Sequence, residues 1–173
     1  MRVLILLCAI AGTAAAEPRD LTRVLGGYER TANADDIRAL GPDADRLLIE
    51  HAEASGQTRV QRQRAIVALR FVPTARARSY AQWLLQASAG ATEGPQAIDA
   101  ASAITALSAH ADALPLILPQ LSHKLAEVRH AAAAAIGVLR AREAAGPIQL
   151  RLSIESDAGV RLVLGRVLRS LQN

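Results

Sequence analysis

Apolar residues recur along most of the chain at steps of three and four, and the runs are separated by glycine, proline or short polar breaks. In 127–140 the positions Val128, Ala131, Ala132, Ala135, Ile136 and Leu139 keep the i, i+3, i+4, i+7 order of one helical face. The same period and its interruptions predict helices over 20–28, 34–40, 43–55, 58–71, 75–88, 96–108, 113–122, 126–140, 145–154 and 158–172. Gly41-Pro42 and Gly146-Pro147 read as a glycine ending one helix and a proline opening the next. Pro73 and Gly94-Pro95 mark further breaks.

These helices repeat in pairs. Val128-Arg129 returns as Val160-Arg161, and Ala103-Ile104 returns as Ala135-Ile136, both at a spacing of 32 residues. Pro115-Leu116-Ile117-Leu118 aligns with Pro147-Ile148-Gln149-Leu150, and "RQRAIVALRF" fits when Arg62 is set against Arg129. The units begin near Arg62, Ala97, Arg129 and Arg161, at spacings of 35, 32 and 32. A period of this length marks a helix-turn-helix array, in which one pair buries its apolar face only by stacking on the next.

On Val128-Arg129, Ala131-Ala132, Ala135-Ile136-Gly137, Leu139, the companion helix Pro147 to Ser153 and the turn "ESDAG" before Val160-Arg161, the chain resembles the HEAT repeat family. It resembles in particular the short bacterial HEAT-like repeats first named for phycobilin lyases, and the resemblance covers roughly residues 42–172. It implies an all-α, right-handed HEAT-type solenoid of four to five antiparallel helix pairs, with 17–41 as a capping pair and 42–173 as the array. Ala97 departs from the repeat by replacing its arginine, after the longer loop "ASAGATEGP". The family serves scaffolds, adaptors and a few enzymes, so the resemblance speaks to fold more than to activity.

Composition agrees with the helical reading. Hydrophobic residues make up 51% of the chain but aromatic residues only 2%. Such a core has to be assembled by bringing backbones close together through Ala, Leu, Ile and Val, and Gly137 gives a neighbouring layer room to approach. The net charge of +4 comes from nineteen Arg and one Lys against sixteen carboxylates, spread along the chain. No nucleic-acid partner is expected from a charge so dispersed.

Residues 1–16, "MRVLILLCAIAGTAAA", have one Arg, an apolar run from Val3 to Ile10 and a small-residue stretch with Ala14 and Ala16 at the cleavage-site positions. That layout predicts a signal peptide cleaved after Ala16 and an exported protein, periplasmic or secreted, with no transmembrane segment afterwards. Cys8 lies within it, so the mature chain is expected to lack thiols. Disulfides, thiol catalysis and cysteine-based zinc sites are then excluded.

The most regular polar feature is the arginine ladder Arg62, Arg129 and Arg161, each in the first turn of a helix. A cation there opposes the helix dipole and calls for a carboxylate nearby, with Glu127, Glu155 and Asp157 as candidates. The positions one step from the buried stripe on the second helix of each pair, Gln63, Ile66, Ile98, Ser102, His130, Ala133, Leu162 and Arg166, are the candidate contacts for a protein or peptide on a concave face. The last helix offers Val163, Val167 and Leu171 as an apolar face for a further solenoid.

Catalytic signals are weak. His123, Glu127 and His130 have metal-ligand spacing, but the turn at 122–126 separates His123 from the following helix. Di-iron HEAT enzymes use His-Glu dipeptides, and no His here precedes Glu. Ser108, His110 and Asp112 lie too close together in one turn for a triad, and Gly26-Gly27 reads as a helix end. Trp83 and Phe71 are assigned to the core. The expectation is a binding scaffold without catalysis or cofactor, with a metal-dependent HEAT-like enzyme or a structural cell-envelope protein as alternatives.

Overall fold

The structure is a computed structural model that describes residues 21–26, 32–90 and 93–173. The predicted signal peptide 1–16, its cleavage after Ala16 and residues 17–20 and 27–31 of the predicted cap 17–41 lie outside the described residues. Ten α-helices follow one another among the described residues, and no strand occurs there. They are α1 (Leu21–Gly26), α2 (Ala34–Arg38), α3 (Ala44–Glu53), α4 (Arg59–Ala68) and α5 (Ala75–Ala87). The second half has α6 (Gly94–Leu107), α7 (Leu114–Ile117), α8 (Ala126–Leu139), α9 (Ala145–Ile154) and α10 (Ala158–Gln172).

Local chemistry sets most of the helix starts. Asn33 caps α2 and Thr58 caps α4, each in a reciprocal box with the residue three positions on, Asp36 and Gln61. Thr74 and Asp157 cap α5 and α10 by accepting from Ala77 N and Val160 N. The predicted helix 113–122 is instead the four-residue α7 between two 3-10 turns, 111–113 and 118–122. Pro119 has no amide to give the carbonyl of Pro115, and its ring crowds that carbonyl, so an α-helix cannot run through.

Two helix-end readings change. Gly41, with φ +91, does end the turn after α2, but Pro42 precedes the helix and Asp43 stands at its N-cap. Gly146 and Pro147 both lie inside the first turn of α9. The end of α8 is made by Arg140, left-handed at φ 52, whose amide returns to Gly137 O.

The helices form two layers. The second helices α4, α6, α8 and α10 pack each on the next, while α3 lies on α5 and the 118–122 turn lies on α9. Within units, α3 pairs with α4, α5 with α6, α7 and its following turn with α8, and α9 with α10. At the amino-terminal end α1 rests on α4, and α2 on the 3-10 turn 69–71. Ile66, Ile104, Ile136 and Leu164, one from each second helix, are fully buried between the layers.

The alanine-rich helix α8 is thin because it is flanked by α6 and α10. At Gly137 a Cβ would stand 2.8 Å from Cγ2 of Val167 on α10, so the closest approach in this junction requires glycine. Val167 and Leu171 are buried in consequence, which removes them from the apolar outer face expected of the last helix; Val163 is half-buried. Trp83 is not a core residue: it is 52% exposed on α5 and rests tilted against Tyr80, ring centroids 5.8 Å apart. The buried stripe of α5 is Ala77, Ala81, Leu84 and Leu85, and Trp83 projects from the other side. Phe71 is half-buried beneath the guanidinium of Arg70, 4.6 Å from its centroid.

Candidate functional site

Arg62 and Arg129 each occupy the fourth position of their helix and make the same kind of junction. Arg62 gives Nη1 to Ala52 O at 2.5 Å and Glu53 at 2.9 Å in its own unit, and Nε and Nη2 to Asp99 on α6 at 3.3 and 3.2 Å. Arg129 gives Nη1 to the carbonyls of His123 and Lys124 at 3.0 and 2.8 Å. Its Nε and Nη2 form a fork on Glu155, both at 2.7 Å, in the turn before α10. Each arginine therefore clamps its own turn and reaches forward to the following unit, Arg129 by a bidentate pair with both Glu155 oxygens and Arg62 by two donors on the single oxygen Asp99 Oδ2.

Glu155 also receives Arg151 at 2.9 Å and the amide of Asp157 at 2.9 Å. The Arg129 fork is the main reason its carboxyl is held down at about 2; burial opposes this, and the Asp157 amide and Arg151 assist. Asp157, expected in the ladder, serves as the N-cap of α10. Where Ala97 interrupts the ladder, Arg78 on α5 pairs with Asp112 at 3.1 Å, so that junction is tied through the other layer. Asp45 on α3 likewise receives Thr74 at 2.5 Å and Arg76 at 3.0 Å from the α5 side. Burial alone would raise the Asp45 carboxyl, but these donors and the Arg46 amide hold it below its ordinary value. Tyr80 donates to Glu53 across the same junction; burial and that carboxylate push its phenol above the usual range.

Arg161 holds the equivalent place in α10 and differs. It is exposed, and among the described residues no side chain or carbonyl accepts from its guanidinium.

On the second-helix layer, Gln63 and Ile98 are half-buried while His130, Leu162 and Arg166 are exposed, so these five share an accessible face. Ile66, Ser102 and Ala133 do not: all three are buried, and Ser102 Oγ donates to Ile98 O at 2.8 Å. A second helix touches its own partner, the preceding layer and the following one, so its buried arc extends past the stripe into positions one step away. The accessible face includes residues outside the expected set, notably Val60, Val67 and Val138. Val138 follows His130 by eight residues, and that two-turn step was the available signal.

At the amino-terminal end of this face a cavity of about 120 Å³ opens between α1 and α4. Leu25, Val67, Ala68 and Phe71 make it apolar, with Gln63 and Arg70 among its lining residues. Arg64 ties the two helices together through Leu25 O at 2.7 Å.

His123, Glu127 and His130 are not brought together as ligands. His123 stands before α8, where its Nδ1 accepts from the Leu125 amide at 3.1 Å. Burial, then the cations Arg129 and Lys124, lower its pKa, and those same cations disfavour a metal there. No group of three or more His, Cys, Asp or Glu suited to a metal occurs among the described residues. Ser108 Oγ donates to Thr105 O and Asp112 is engaged by Arg78, so neither addresses His110. No helix among the described residues is long and apolar enough to cross a membrane. The chain matches no family model, no curated protein and no solved structure.

Proposed function

We propose that this protein is an exported HEAT-type scaffold that binds a protein or peptide segment along the free face of its second helices, without catalysis. One observation carries the reading: Gln63, Ile98, His130 and Leu162, at the repeat spacings of 35, 32 and 32, present accessible side chains on four helices that pack in succession. A row spaced by whole helical layers suits an extended ligand that crosses them in turn. The apolar cavity beside Gln63 offers an end pocket for one anchoring side chain of that ligand. Aromatic groups are nearly absent from the row, so affinity is modest.

The test is crosslinking capture from a cell-envelope extract with the wild-type chain and with Gln63→Glu/His130→Glu. Loss of one specific protein from the variant supports the reading. Identical captures with both baits count against this face.

A further inference from the structure

The side of α10 that faces away from α8 repeats, one unit later, the side of α8 that packs on α10. Adding the 32-residue period to Arg129, Ala133 and Gly137 gives Arg161, Gly165 and Arg169. On α8 these positions form a finished junction: Arg129 is locked on Glu155, Ala133 is wholly buried and Gly137 meets Val167. On α10 the same positions are open. Arg161 and Arg169 are exposed, as is Leu162 at 63%, and Gly165 keeps the surface low between them.

Charge identifies what belongs there. From 158 to 173 the chain has Arg161, Arg166 and Arg169 and no carboxylate. Arg161 lies in the first turn of α10, against the helix dipole, and among the described residues it has no carboxylate of the kind that relieves Arg62 and Arg129. Arg169 replaces the glycine that admits Val167 one layer earlier, so the incoming layer must present an acidic or polar group at that point rather than a valine. A second α10 is the wrong occupant, because it would set these arginines against one another.

We infer that the open side of α10 is a docking surface for an acidic amphipathic helix of a partner chain. One partner carboxylate takes the place at Arg161 that Glu155 takes at Arg129, a second meets Arg169, and apolar side chains cover Leu162 and Gly165. This surface shares Leu162 with the row on the second helices, but its two charged anchors, Arg161 and Arg169, lie outside that row.

The probe is a labelled synthetic helix of about 15 residues, matching the ~22 Å length of α10, with leucines on one face flanked by glutamates. Fluorescence anisotropy against the full chain is expected to show binding that weakens with salt, and none for the same peptide with lysines for glutamates. Arg161→Glu/Arg169→Glu is expected to weaken binding about tenfold or more. Gln63→Glu/His130→Glu and Arg140→Ala/Arg142→Ala, the latter changing exposed cations elsewhere, are expected to bind as wild type. Circular dichroism checks each fold, and Arg161→Ala/Arg169→Ala replaces the reversal variant if that one unfolds. Absence of binding, or an equal loss in the Arg140/Arg142 variant, overturns the inference. So does self-association of the wild-type chain that the Arg161/Arg169 variant abolishes, because the occupant would then be a second copy.

Discussion

Arg129 and Glu155 meet in a fork of two 2.7 Å bonds between α8 and the turn before α10, with the Glu155 side chain fully enclosed. Removing one member leaves the other buried and unpaired, which costs far more than the net worth of the pair. Glu155→Gln is therefore expected to destabilise the chain by about 3 kcal/mol at neutral pH. Because the folded carboxyl sits at about 2 against an ordinary 4.5, its contribution is complete above pH 4.5 and disappears as pH falls toward 2. Urea unfolding of both chains across that range checks this: the difference between them is expected to close as the pH drops.

The contact between Gly137 and Val167 gives a prediction opposite in sign to helix propensity. Alanine favours a helix over glycine by about 1 kcal/mol, yet a Cβ at 137 would stand 2.8 Å from a stiff valine methyl. Gly137→Ala is expected to destabilise by about 1–2 kcal/mol net, since overpacking outweighs the propensity gain. In the background of Val167→Ala the same change is expected to become stabilising, and thermal melts of the four chains measure that coupling.

Trp83 is the only tryptophan in the chain, so its emission reports one environment. Its exposure predicts a long-wavelength maximum and ready quenching by acrylamide in the folded protein. Trp83→Ala is expected to change stability by less than ~1 kcal/mol, against about 3–5 kcal/mol for a core tryptophan.

His51 on α3 is buried, and its Nε2 has no hydrogen-bond partner among the described residues; Nδ1 lies 3.5 Å from Gln57 Nε2. An apolar side chain there removes the cost of an unsatisfied buried nitrogen. His51→Leu is expected to raise stability by about 1 kcal/mol, read as a higher urea midpoint at constant slope.

Much of this architecture is written in local sequence. The 3.6 period and the caps at Asn33, Thr58, Thr74 and Asp157 place the helices, and the arginine spacing marks Arg62 and Arg129 as junction residues. What local pattern does not carry is the number of neighbours. The stripe on α8 looks narrow in isolation, but its two flanking layers bury Ala133 as well, and the same breadth hides Ile66 and Ser102. Trp83 fails for the converse reason, since hydrophobicity alone does not tell which side of α5 is covered. Among the candidate contacts, Gln63, Ile98, His130, Leu162 and Arg166 remain on the accessible face, while Arg161 stands apart from the ladder because no described residue accepts from its guanidinium.

The proposed function requires a protein or peptide partner along the second-helix face. The most direct measurement places a photo-crosslinking amino acid at His130 on that face, and in a separate chain at Leu150 on the exposed side of α9, followed by irradiation in intact cells. A discrete adduct with one protein is expected from position 130 and none from position 150. An adduct from 150 alone would contradict it and move the binding surface to the first-helix layer.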